Sequence, residues 1–139
     1  MPLYVLDTDH LSLLQSAHPR VSARYLLESA QGNVAVSVAS YEEQVRGRLA
    51  FISQAKTHDR RVQGYFWLCQ TQQFYCRFRL LDFDDQAQRT YQNLRATHRR
   101  TGKMDLKIAA TALTNNAILV TRNTQDFISI TNLRLENWA

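Results

Sequence analysis

Short apolar runs at residues 3–6, 34–38, 80–83, 117–121 and 133–135 constrain this chain more than any other feature. The runs at 3–6, 34–38 and 117–121 read as strands covered on both faces rather than with a wet side, 80–83 as a third such run along the chain, and 133–135 as a short last strand. Between them lie patterns of helical period. Asp84 or Asp85 can cap a helix whose Ala87, Tyr91 and Leu94 fall on one face. Met104, Ile108, Ala109, Ala112 and Leu113 mark another, ending near Asn115 and Asn116, and residues 41–77 read as two helices broken around 57–59. Strands separated by helices imply right-handed crossovers. The expected fold is α/β: a three-layer α/β/α sandwich around a central, mainly parallel sheet of four to five strands. At 139 residues, one domain spanning 1–139 is expected.

Charge is distributed unevenly. The net charge of +5 favours a polyanionic partner only weakly, but twelve cations and four acids fall between Gln44 and Met104, while the rest of the chain holds five cations and eight acids. Acids near both ends thus flank a basic belt. The composition, 45% hydrophobic and 21% charged, is that of an ordinary globular chain.

Cys69 and Cys76 lie seven apart in a helical segment, about 10 Å along the axis and beyond disulfide reach. They are expected to be free core thiols in a reducing cytoplasm. The N-terminus has no basic segment before its apolar run, so it is not expected to be a signal peptide, and no run reaches membrane-spanning length. The four histidines, His10, His18, His58 and His98, show no ligand spacing and are expected at the surface or its boundary. The aromatic cluster of Tyr65, Phe66, Trp67, Phe74, Tyr75 and Phe78 is expected to pack in the core or a homodimer contact rather than stack on bases.

In an open α/β sheet, ligands bind beyond the carboxyl ends of the strands. Asp7 and Asp9 follow the first strand, and Glu43 falls on the first turn of the helix after the second. Asn123 and Asp126 follow the run at 117–121, and Asp105 opens the helix before that run. Each has a local explanation. Asp9 could cap a helix beginning at His10, Ser40 and Glu43 form a capping-box pattern, Asp105 could offset a helix dipole, and Asn123 with Asp126 could serve a turn. Independent caps do not predict convergence on one sheet edge, however. Gathered carboxylates need a cation to stay ionised. Without a Cys/His cluster, zinc is disfavoured, and Mg²⁺ or Mn²⁺ is the expected ion among these acids. Such a site inside a basic rim suits phosphodiester hydrolysis, with Arg46 and Arg122 available for phosphates and Asp9 and Asp126 facing the substrate.

Four blocks carry a family resemblance. Residues 6–12, Leu-Asp-Thr-Asp-His-Leu-Ser, resemble the opening motif of PIN-domain proteins, in particular the VapC-like toxins of bacterial type II toxin–antitoxin systems. Residues 36–47 resemble the second block, which carries its acid over to Glu43 rather than Glu42. Residues 102–110 resemble the third, giving Asp105, and residues 119–127 the fourth, whose acidic position falls on Asn123. The resemblance implies a metal-dependent endoribonuclease with Asp7, Glu43, Asp105 and Asn123 as its catalytic set, in which Asp7 and Asp105 hold the Mg²⁺ or Mn²⁺ directly and Glu43 lies close by or acts through water. It also implies an RNA substrate, a homodimer, and a cognate antitoxin covering the active-site groove. Asn123 departs from the acid found in many members: it can ligate or orient water but adds no charge. That leaves an alternative, a catalytically weak or inactive PIN-like module that binds RNA or a partner. A haloacid-dehalogenase phosphatase reading of Asp7-Thr8-Asp9 fits poorly, because His10-Leu11 follow.

Overall fold

The structure, a computed structural model, describes residues 2–139. The element order is β1 (Tyr4–Leu6), α1 (Thr8–Gln15), α2 (Pro19–Ser29), β2 (Val34–Ser37), α3 (Val38–Gln54), α4 (His58–Tyr75), β3 (Arg79–Leu81), α5 (Asp85–Thr97), α6 (Lys103–Thr114), β4 (Ile118–Val120), α7 (Thr124–Phe127) and β5 (Arg134–Glu136). All five strands are parallel, in the order β3-β2-β1-β4-β5. Leu6 pairs with Val36 on one side and Val120 on the other, so the chain leaves β1, β2 and β4 at nearly the same level.

The unbroken apolar runs reflect two buried faces. Val5, Ala35 and Leu119 enter a core with Tyr91 and Leu94 of α5 and Leu106 and Ile108 of α6. Tyr4, Leu6, Val34, Val36 and Val120 point the other way, onto Leu11 of α1, Val21 of α2 and Tyr75 of α4. Period-2 geometry sends neighbouring residues to opposite faces, and each meets a helical layer. The expected α/β/α sandwich is therefore present.

Several local expectations are corrected. The helix after β2 begins at Val38, with Ser37 as its N-cap accepting from the Ala39 amide at 3.1 Å. Ser40 caps nothing; its Oγ accepts from Thr8 Oγ1 at 3.1 Å, so Glu43 completes no capping box and sits in the second turn rather than the first. Asp7, not Asp9, caps α1. Both cysteines are free, but exposed rather than in the core. His10 is completely buried, contrary to its expected surface position. The aromatic stretch divides: Phe74, Tyr75 and Phe78 stack with one another, while Tyr65 and Phe66 are exposed. Among the described residues no helix is long and apolar enough to cross a membrane.

Candidate metal centre

β1 lies at the middle of the sheet, and successive strands are added to either side of it, so the chain departs in opposite directions after β1 and β4. A crevice forms at such a switch point. Here it is a cavity of about 570 Å³ lined by Asp7, Thr8, Asp9, Ser12, Glu43, Asp105, Arg122, Asn123 and Phe127. Carboxylates separated by up to 98 residues in sequence thus share one wall-to-wall space.

Local structure explains how each arrives. Asp7 ends β1 in an extended conformation and caps α1, its Oδ1 accepting from the His10 amide at 2.7 Å. The Thr8–Ser40 hydrogen bond ties the start of α1 to α3. Glu43 is three residues beyond Ser40 on the same helical face and is carried to the cavity. Glu42 is engaged elsewhere, by Arg46 and, at 3.8 Å, by Lys107. Asp105 stands in the first turn of α6. Ser37 Oγ and Thr111 Oγ1, 3.1 Å apart and buried, fasten α6 to the end of β2.

Two of the residues expected to face substrate lie in the cavity wall and two do not. Arg122 forms a bidentate pair with Asp9, Nε to Oδ2 at 2.7 Å and Nη2 to Oδ1 at 2.8 Å, bridging α1 to the segment after β4. That hydrogen bonding holds the Asp9 carboxyl below the ordinary aspartate range. Arg46 is exposed, pairs with Glu42 and is not part of the lining. Asp126 is also outside the lining, though its carboxylate accepts from the Asn123 amide side chain and acts electrostatically on Asp105.

The carboxylates interact. Asp105 is raised from 3.8 to about 6, first by burial and then by the negative charges of Glu43, Asp7 and Asp126. A site whose acids obstruct one another's ionisation favours a cation among them. Its donors are all oxygens: the carboxylates of Asp7, Glu43 and Asp105, that of Asp9 where Arg122 leaves it free, and Thr8, Ser12 and Asn123. That set fits a hard divalent ion such as Mg²⁺ or Mn²⁺ and does not fit zinc. Donor atoms of Asp7, Asp9 and His10 also lie within 4.8 Å of one another. His10 is nevertheless unsuited to ligation, since Nδ1 lies 3.2 Å from Asp7 Oδ1 and Nε2 accepts from the Trp138 amide at 3.3 Å. A second cavity of about 590 Å³, lined by α1, α2 and α4 residues such as Tyr25, Trp67 and Phe74, contains no carboxylate and so offers a hard cation no anionic ligand.

Thr8, Ser12, His10 and Phe127 did not emerge from the sequence as site residues. Thr8 and Ser12 follow from α1 beginning one residue after Asp7, since positions 8 and 12 are one turn apart on the same face. His10 gave no clear signal, because only one of its ring partners, Asp7, is local, and the other is the Trp138 amide 128 residues away.

Known proteins resemble the chain along its length. The model of the PIN domain matches residues 4–132. Ribonuclease VapC1 of Haemophilus influenzae (strain R2866) is 28% identical over 142 aligned residues, covering 99% of this chain and 98% of the relative. Ribonuclease VapC2 of Rickettsia felis is 39% identical over 69 residues, 47% of this chain and 52% of that one. Among solved structures, VapBC2 of Rickettsia felis bound to a DNA fragment from its promoter contains a chain 30% identical, with 99% of both chains covered and a TM-score of 0.74. A chain in DNA-bound VapBC of Salmonella typhimurium, 23% identical with both chains fully covered, has the same fold at a TM-score of 0.78.

Proposed function

The chain belongs to the PIN-domain family, and from that premise we propose that it is a metal-dependent endoribonuclease, the toxin of a type II toxin–antitoxin pair. The observation that carries this reading is the confluence of Asp7, Glu43 and Asp105 in one polar cavity, with Asp105 raised to about 6 by burial and its acidic neighbours. The ribonuclease names of its relatives and the VapBC complexes among its structural neighbours support the substrate and the partner.

Asp7 and Asp105 would hold Mg²⁺ or Mn²⁺, with Glu43 beside them. Once bound, the ion supplies charge neutralisation at the phosphate and makes a water more acidic. Glu43 is the free carboxylate best placed to take a proton from an attacking water, because Asp9 is occupied by Arg122. Asn123, its amide N–H₂ turned to Asp126, keeps its carbonyl oxygen for a water or a phosphate-bound partner. Arg122, half-exposed at the cavity edge, presents positive charge to the RNA backbone while Asp9 fixes its direction. Exposed Leu26, Leu27, Tyr65 and Phe66 leave apolar surface of the sort a protein antitoxin or a second copy of the chain would cover.

The test is incubation of the purified chain with end-labelled RNA and Mn²⁺ or Mg²⁺, beside Asp7→Asn and Asp105→Asn. Cleavage by the parent protein alone, abolished by chelation, is expected. Equal degradation by all three proteins would overturn the reading, as would intact RNA in every lane.

A further inference from the structure

His10 is a fully buried histidine against the metal centre with both ring nitrogens committed, and neither the metal nor the substrate explains it. Trp138 donates its backbone N–H to Nε2 at 3.3 Å. A backbone amide can only donate, so Nε2 must carry a lone pair, and the ring proton is on Nδ1. Nδ1 lies 3.2 Å from Asp7 Oδ1, which also accepts the His10 amide at 2.7 Å. One carboxylate oxygen therefore receives two donors from the same residue.

We propose that His10 is a positioning residue of the metal centre: backed by the Trp138 amide, it fixes the Asp7 carboxylate through Oδ1 and leaves Oδ2 as the oxygen offered to the cation. The inference rests on the metal-dependent reading above. Its physical content is that Mg²⁺ tolerates little departure from octahedral geometry, so a ligand with one oxygen restrained loses less freedom on binding and offers a single direction of approach. The support extends outward. The Trp138 ring packs edge-on against Tyr4 at 5.3 Å, its indole N–H donates to Glu136 Oε1 at 2.9 Å, and the Arg24 guanidinium lies 5.2 Å above it. The segment after β5 is thereby built into the support of a ligand at the end of β1.

Three variants separate this role from simple packing. His10→Asn retains an N–H near the position of Nδ1 but cannot reach Trp138, His10→Gln places its amide near Nε2 and lacks the inner donor, and His10→Leu lacks both. Mn²⁺ affinity is read from the electron paramagnetic resonance signal of the free ion, and Tm is recorded for each protein. Affinity should weaken by about 10–100-fold in His10→Gln and His10→Leu. It should stay within about threefold of the parent in His10→Asn, although that variant also loses Tm through the orphaned Trp138 amide. Affinity that follows Tm across all three, or parental affinity in His10→Gln, would overturn the proposal. Nitrogen-15 shifts of His10 in the parent protein need no substitution: a proton on Nδ1 is expected, and one on Nε2 overturns the inference. If the parent binds no Mn²⁺, the nuclease reading falls and this one with it; parental binding with unaltered His10→Gln removes this one alone.

Discussion

Half-buried and surrounded by Glu43, Asp7 and Asp126, Asp105 ionises near pH 6 in the fold against 3.8 for an unperturbed aspartate, so folding and metal binding make opposite demands on it. Between those two values the unfolded chain has released the proton and the native state has kept it. Stability therefore declines as pH rises from about 4 to about 6 and is flat above. Allowing for solvent screening, the loss is about 1–2 kcal/mol. Asp105→Asn removes the charge and should raise the metal-free Tm at pH 7.5 by about 3–6 °C. The same variant should no longer be stabilised by Mn²⁺, which by linkage protects only a protein that binds it. Calorimetry of both proteins with and without Mn²⁺ measures this, and a lower Tm for the variant would contradict it. The acids were legible in the sequence because each adjoins a strand end or a helix start, positions that a parallel sheet brings together whatever the distance in sequence. His10 was not, since its burial depends on Trp138 and its hydrogen bonds read as nothing in the local pattern. Arg46 was assigned to phosphate by charge and nearness to Glu43, but one turn along α3 Glu42 engages it.

Among the elements, the α3–α4 hairpin packs closely at Gly64. A Cβ on Gly64 would lie 2.7 Å from Ile52 Cγ1 and 2.9 Å from Phe51 Cδ1, whereas one on Gly47, in the exposed interior of α3, would meet nothing within 4 Å. Both glycines cost their helix up to about 1 kcal/mol relative to alanine. Gly47→Ala should accordingly raise stability by about 0.5–1 kcal/mol. Gly64→Ala carries the same helical gain but must also push two half-buried side chains aside, so it should fall about 1–3 kcal/mol below Gly47→Ala. Urea midpoints of the two variants decide it, and equal midpoints would mean the hairpin opens without cost. The five strands, α5, α6 and the break between α3 and α4 are legible from period and burial, because two covered sheet faces leave a clear apolar signature, whereas α2, whose one fully buried residue is Val21, leaves no such stripe. Helix starts were less legible. Ser40 and Glu43 have the spacing of a capping box, yet the chain turns helical at Val38 because Ser37 reaches both the Ala39 amide and Thr111, a contact 74 residues away.

For the molecule as a whole, the basic belt found in the sequence has a place in space. The turn between α5 and α6 holds the exposed Arg99 and Arg100 immediately before Asp105, and Thr101 Oγ1 donates to the Asp126 carbonyl at 3.3 Å, tying that turn to the segment after β4. Neither arginine lines the acidic cavity, but the turn that carries them is held to the segment that contains Asn123, which does line it. We expect a strand seated in the cavity to run across that turn, and each phosphate neutralised there releases condensed counterions. The logarithm of RNA affinity should therefore fall linearly with the logarithm of salt concentration, with a contribution of about 0.7 to the slope from each contact on a single strand. Arg99→Gln with Arg100→Gln should reduce the slope by about 1.4. Exposed charges contribute little to stability, so Tm should move by no more than about 2 °C. Arg20 of α2, exposed and outside the belt, is the control: Arg20→Gln should leave the slope unchanged. Fluorescence anisotropy of a labelled single-stranded RNA from about 50 to 300 mM KCl, in an Asp7→Asn background that prevents cleavage, reads all three slopes. If the double variant and the control shift alike, RNA is held by diffuse positive charge, and the α5–α6 turn has no privileged part in guiding the strand to the acids.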